Sequence, residues 1–226
     1  MLKLYLNKLK SVVRKMIFVD RNDAGKKLCE NLEKFKKEDV IVLAVPRGGL
    51  EVAYDPIKSF NFEWDLIIPR KIGAPHNKEI AIGAVSADGS YFLDDHYVNM
   101  LGVSQAYIEL EISEQIKEIH RRMREYRGSD TFPKVEGKTV IIIDDGIATG
   151  FTILAALKAV KKQGASKTVL AVPVGPKDMI EKFKKFVDEI ICLHIPDEFY
   201  AVGAYYMNFE QVTDEEVFRM MNELRR

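Results

Sequence analysis

Apolar residues along this chain fall into short continuous runs separated by stretches with helical spacing. Residues 40–45 form such a run, largely β-branched and closed by Pro46. The pattern predicts a strand covered on both faces, as in a parallel sheet. Residues 66–68 repeat it in shorter form and are again closed by a proline. Residues 140–143, 168–172 and 190–193 predict three further core strands. Between them the spacing changes. Ala24, Leu28, Leu32 and Phe35 place an apolar stripe on a helix over 22–37, with Asp20 or Asn22 able to cap it. Residues 50–59 supply a crossover helix distorted near Pro56. A long helix over 104–126 carries Ile108, Ile112, Ile116, Ile119 and Met123 on one side, and its Glu and Arg residues read as a solvated face. Helices are also expected over 151–163, 178–186 and 214–224. Residues 80–85 and 91–93, joined through Asp88-Gly89, predict a hairpin. Strands alternating with helices imply an α/β fold with a doubly wound, mostly parallel sheet.

At 226 residues the chain suits one such domain with an insertion or a small hood. Lys plus Arg and Asp plus Glu both number 34. That balance gives no case for a protein built around nucleic-acid binding. Cys29 and Cys192 have no Cys or His partner at metal-ligand spacing and read as two buried thiols of a reducing compartment. No apolar run reaches transmembrane length. Leu2, Leu6, Leu9, Val13 and Met16 recur at helical spacing among basic residues. Residues 1–17 therefore fit a targeting or membrane-surface helix, a helix on a partner subunit, or an extension upstream of a natural start at Met16.

The chemistry concentrates after the run 140–143. It continues as Asp144-Asp145-Gly146-Ile147-Ala148-Thr149-Gly150-Phe151-Thr152. A strand delivers two carboxylates at its end, small residues follow, and a helix begins. Ligands of open α/β sheets bind at this edge. A helix N-terminus offers unpaired amides and a dipole that favours an anion. Gly146 and Gly150 allow the backbone to curl around a phosphate, and the Thr149 and Thr152 hydroxyls can donate to it. Ionised Asp144 and Asp145 only accept, so they suit a sugar diol. As an ordinary turn the segment would set two carboxylates against each other without compensation. No Gly-Lys-Ser/Thr follows, so this is not a Walker loop.

This segment resembles the signature of the type I phosphoribosyltransferases: a hydrophobic strand, two acidic residues, a few variable residues, then Thr-Gly-x-Thr. The resemblance implies that Asp144 and Asp145 hold the ribose hydroxyls of phosphoribosyl pyrophosphate, and that Gly146 and residues 148–152 (Ala148, Thr149, Gly150, Phe151, Thr152) hold its 5-phosphate. It assigns Arg47, Gly48 and Gly49 to pyrophosphate, in a loop that often carries a non-proline cis peptide. Arg70, Lys71 and Lys78 would belong to a mobile loop that neutralises the leaving group. For Lys78 a plain surface cation is an equal reading, and His76 in the same loop is left outside the site. Ile195-Pro196-Asp197-Glu198-Phe199 is similar to the base-binding hood of the hypoxanthine-guanine enzymes, with Phe199 in the stacking position beside Tyr200 and the hood over about 194–212. Tyr205 and Tyr206 fit core or interface equally. The acidic residue expected beyond the hood has no match near Asn208. The whole chain is similar to a poorly characterised group of the family. The implied organisation is an N-terminal extension (1–17) and a phosphoribosyltransferase domain (18–226). The implied activity is Mg²⁺-dependent transfer of the phosphoribosyl group to a purine-like base, in a cytoplasmic homodimer, with few protein ligands to the metal. The rival readings are a non-catalytic phosphoribosyl pyrophosphate or nucleotide-binding regulator of the same fold, and transfer to a non-base acceptor.

Overall fold

The computed structural model describes residues 18–225; the expectations for residues 1–17 lie outside them. Five parallel strands make the central sheet: β1 (Val40–Ala44), β2 (Glu63–Leu66), β6 (Thr139–Ile143), β7 (Lys167–Val174) and β8 (Glu189–His194), in the order β2-β1-β6-β7-β8. In β1 and β6 every residue is buried. Alternate side chains of β6 serve opposite cores: Ile141 and Ile143 pack beneath α1 (Arg21–Leu32) and α2 (Gly48–Phe60), whereas Val140 and Ile142 pack with α5 (Phe151–Lys162). That double cover is why these strands read as unbroken apolar runs.

The helices follow the predicted stripes. The Asp20 carboxylate caps α1 by accepting from the Asp23 amide, and Ala24, Leu28 and Leu32 are buried. A 3₁₀ turn, Glu33–Phe35, ends the segment. Pro56 is accommodated inside α2. The C-terminal helix α7 (Asp214–Leu224) starts with a capping box of Thr213 and Glu216 and rests on α2.

The second strand differs from expectation. It spans Glu63–Leu66 rather than 66–68, because it lies at the edge of the sheet and only Leu66 of its residues is fully buried. A further helix, α3 (Asp95–Met100), was not foreseen: none of its residues is buried, so no apolar spacing marks it. Cys29 and Cys192 are half-buried rather than buried, and both are free thiols. Among the described residues no helix is long and apolar enough to cross a membrane.

A second sheet, β3 (Arg70–Ala74), β4 (Asn77–Val85) and β5 (Tyr91–Leu93), is antiparallel. The expected hairpin through Asp88-Gly89 joins β4 and β5, with Gly89 at φ 79°. The segment at Arg70, read as the opening of a mobile loop, is instead strand β3, with Arg70 facing Val85 and Lys71 facing Ala84. The long helix α4 (Gln105–Arg127) packs on it. The charged face of that helix is not wholly solvated either, since Glu111 is 2% exposed.

Candidate functional site

Registry within the sheet assembles the site. Ala44, Ile143 and Ala171 are level across β1, β6 and β7; β1 and β6 end there side by side, and β7 runs on to Val174. The Val45 amide donates to the Ile143 carbonyl at 2.9 Å. This holds the Pro46–Gly49 loop against the Asp144–Asp145 pair. The peptide bond between Pro46 and Arg47 is cis, as the resemblance implied. A Cβ on Gly48 would lie 2.2 Å from Asp145 Oδ2, and one on Gly49 would lie 2.7 Å from the Ile143 carbonyl oxygen. The two loops therefore touch, and at position 49, where the neighbours are backbone atoms, only glycine permits it.

The carboxylates differ in their company. Asp145 Oδ2 accepts from Arg21 Nε at 2.9 Å, and the Tyr206 hydroxyl donates to the Asp145 carbonyl at 2.6 Å. Asp144 Oδ1 accepts only from the Asp145 amide, at 2.9 Å, among the described residues. Burial, and then the neighbouring Asp145 charge, push the Asp144 carboxyl well above the ordinary carboxylate range. Burial also raises Asp145, against the pull of Arg21. Two acids thus share one close cation, an arrangement that favours an added cation or hydroxyl donors.

Gly150 caps α5 with φ 68°, and no side chain caps that helix. Its first amides are left for an external acceptor. Ala148 and Thr149 are exposed, while Phe151 is buried beside Phe92. The helix start contributes to two clefts. Ala148, Thr149 and Phe151 line one of about 910 Å³ together with Phe199 and Lys177. Thr152 lines another of about 540 Å³ with Pro46, Arg70, Lys71 and Lys78.

In the second cleft α4 holds the predicted cations. Arg70 Nε donates to Gln115 Oε1 at 2.6 Å, and Lys78 is paired with Glu111 over the Tyr107 ring. The hydrogen bonds to Glu111, and then Tyr107, hold the Lys78 ammonium up at about 12. Burial pulls Arg70 below its usual value. Arg47 Nη1 stands 3.5 Å from Asp214 Oδ1, the acid that also receives the Tyr126 hydroxyl.

On the hood side, Phe199 is half-buried and stacks on Tyr205 at 5.7 Å between centroids. Tyr205 and Tyr206 are core residues. Tyr200 does not line the cleft: it is 74% exposed and its hydroxyl donates to Glu198. Sequence reasoning missed Arg21, Glu111, Gln115 and Tyr206. One sign of Arg21 was available, because a cation in the first turn of a helix opposes the dipole and implies a partner elsewhere.

A five-stranded parallel sheet carrying an acidic pair, a glycine loop and a helix N-terminus at one edge defines the class. Residues 19–210 match the family described as "Phosphoribosyl transferase domain", and the chain belongs to that family. A "Putative phosphoribosyl transferase" of Mycobacterium tuberculosis is 39% identical over 211 residues, which are 93% of this chain and 47% of that protein. The chain thus spans about half the length of the curated relatives it matches. The crystal structure of TT1426 from Thermus thermophilus is 37% identical, with a TM-score of 0.76 over 92% of this chain and 99% of that one. A shorter similarity, 35% over 71 residues (31% of this chain and 36% of the relative), links the chain to the transcriptional regulator GfcR of Methanosphaera stadtmanae.

Proposed function

We propose that this chain is a Mg²⁺-dependent phosphoribosyltransferase that moves the 5-phosphoribosyl group of phosphoribosyl pyrophosphate to a purine-like nucleobase. The observation that carries this reading is the acidic pair with one close cation, set between a glycine loop and an uncapped helix N-terminus. A ribose with a phosphate at one end and a pyrophosphate at the other matches that order of acceptors and donors.

In this reading Asp144 and Asp145 accept from the ribose hydroxyls. Gly146, Ala148, Thr149, Gly150, Phe151 and Thr152 wrap the 5-phosphate with amides and hydroxyls. Arg47 and the Gly48 and Gly49 amides meet the pyrophosphate, a task to which the guanidinium fork is suited. Arg70, Lys71 and Lys78 supply charge as the leaving group departs. A base nitrogen forms a bond to C1 while the C1–oxygen bond breaks, and the electron pair and the base proton leave with pyrophosphate. Positioning, charge neutralisation and exclusion of water do most of the work.

The residues present fit Mg²⁺. The two acids share one close cation among the described residues, and their donors are hard oxygens. Substrate oxygens and water would supply most of the coordination. When bound, the ion neutralises charge developing on the pyrophosphate.

Calorimetric titration with phosphoribosyl pyrophosphate and Mg²⁺, followed by a nucleobase screen for pyrophosphate release, tests the reading. Saturable binding with release supports a transferase. No binding by folded protein removes the proposal. The similarity to a transcriptional regulator favours a second reading, in which the ligand binds and no base elicits release.

The acceptor side yields a separate expectation. Phe199→Ala should weaken acceptor affinity by roughly tenfold or more, since stacking a base on an aromatic contributes about 1–3 kcal/mol. Tyr200→Ala, at a position outside the cleft, should stay within about twofold. Acceptor titrations of both variants decide it. Equal losses would move the base away from Phe199.

A further inference from the structure

Arg21 opens helix α1, where the dipole disfavours a cation, and its side chain is nonetheless nearly sequestered, 8% exposed. Four groups from distant parts of the chain meet it. Its Nε donates to Asp145 Oδ2 at 2.9 Å. Its Nη1 donates to the Glu210 carbonyl at 2.8 Å and stands 3.7 Å from Glu51 Oε2. The guanidinium carbon lies over the Phe209 ring, 3.8 Å from the centroid. Residues 205–208 run alongside Phe18 and Val19: the Phe18 amide donates to the Tyr205 carbonyl at 3.0 Å, the Met207 amide to Phe18 and the Asn208 amide to Val19, each at 2.9 Å. The strap that follows Phe199 is therefore stitched to the residues just before Arg21, and Arg21 reaches from there to the end of β6.

We infer that Arg21 is a positioning residue: it fixes the Asp145 carboxylate for the sugar diol and keys that carboxylate to the 205–210 strap, so that sugar and acceptor are held in one register. This rests on the proposed binding of phosphoribosyl pyrophosphate. A planar fork is suited to it, since separate N–H edges serve a carboxylate and a carbonyl while the face stacks on an aromatic. Lysine, with a point charge, can face Asp145 or Glu210 but cannot reproduce the arrangement.

The inference separates two ligands. Phosphoribosyl pyrophosphate carries the diol, and pyrophosphate alone does not. Calorimetric titrations of each, with Mg²⁺, on wild type, Arg21→Gln and Arg21→Lys provide the test, with a thermal melt of every variant. Arg21→Gln is expected to weaken phosphoribosyl pyrophosphate by about tenfold or more, with pyrophosphate within about threefold. Arg21→Lys should recover part of the loss. Equal losses for both ligands would make Arg21 a general structural or anion-site residue and overturn the inference, as would wild-type affinity in a folded Arg21→Gln. If Arg21→Gln does not fold, Arg21→Lys decides alone: a loss confined to the diol-bearing ligand supports the inference, and an equal or absent loss overturns it. A folded wild type that binds pyrophosphate and not phosphoribosyl pyrophosphate sinks the functional reading itself, and the inference with it.

Discussion

Asp144→Asn is expected to raise the thermal stability of the ligand-free protein at pH 7 while weakening phosphoribosyl pyrophosphate by about 10- to 100-fold. Both effects come from one cause. Among the described residues Asp144 has no cation of its own, and burial together with Asp145 raises its carboxyl above the ordinary value of 3.8. A carboxyl whose folded-state value is raised contributes stability that is complete below its unfolded value and is lost as pH climbs through the folded value. At pH 7, above the unfolded value, the ligand-free protein bears this cost of ionisation. Asparagine removes that cost, on the order of 1 kcal/mol, or about 2–4 °C in a domain of this size. The gain should shrink as pH falls through the raised folded value toward the unfolded one, below which Asp144 carries its proton in both states. The affinity loss follows from replacing a charged acceptor of the sugar hydroxyls with a neutral one.

Asp145→Asn should have the opposite effect on stability. Arg21 would lose its nearest carboxylate and keep the Glu210 carbonyl, the Phe209 ring and the more distant Glu51. A loss of about 1–3 kcal/mol is expected, because a sequestered guanidinium is left poorly paired. In the double variant Asp144→Asn/Asp145→Asn saturable binding should vanish. Calorimetric melts at pH 7 and pH 4, with titrations of all three variants, check the set. Equal and same-signed stability changes for the two single variants would refute the division of labour between the acids.

Gly49→Ala and Gly48→Ala should fail in different ways. A Cβ at position 49 would stand 2.7 Å from the Ile143 carbonyl oxygen and 3.0 Å from the Asp144 Cα. Those are backbone atoms of a buried strand and its first loop residue, and they yield only by shifting the sheet. Gly49→Ala is expected to lose about 1–3 kcal/mol of stability, the range typical of overpacking. At position 48 the new Cβ would meet Asp145 Oδ2 at 2.2 Å and Arg21 Nε at 2.7 Å, the ends of two side chains. These can rotate away. Gly48→Ala should therefore keep most of its melting temperature and lose affinity for phosphoribosyl pyrophosphate by about 10- to 100-fold, because the carboxylate that faces the diol is displaced. Chemical denaturation and ligand titration of the two variants separate the cases. A stability loss for Gly48→Ala as large as that for Gly49→Ala would show that the Arg21–Asp145 pair cannot adjust.

Reading the fold from sequence worked where local pattern and tertiary environment agreed. β1 and β6 are covered on both faces, so their apolar runs could be read directly, and so could the helices whose stripes face those cores. The acidic pair, Gly150 and Thr152 were also legible, because strand, loop and helix start follow one another without interruption. β2 was shifted because an edge strand carries Glu63 and Asp65 in the positions where a central strand carries apolar residues. β3 was read as a loop because Arg70 and Lys71 have no strand signal of their own and pair through β4. Helix α3 buries nothing and left no periodic trace.

What the sequence alone determined about this protein is thus the parallel character of its central sheet and the place of the acidic loop at that sheet's edge, since both are encoded by residues adjacent in the chain. Only the tertiary structure decided which groups act on that loop. Arg21 reaches Asp145 across 124 positions, Glu111 reaches Lys78 across 33, and Gln115 reaches Arg70 across 45. Arg21, Glu111 and Gln115 read as ordinary surface residues until folding brings them to these partners. Coulombic and hydrogen-bond partners are set by distance in space and by local desolvation, and neither is carried by spacing along the chain.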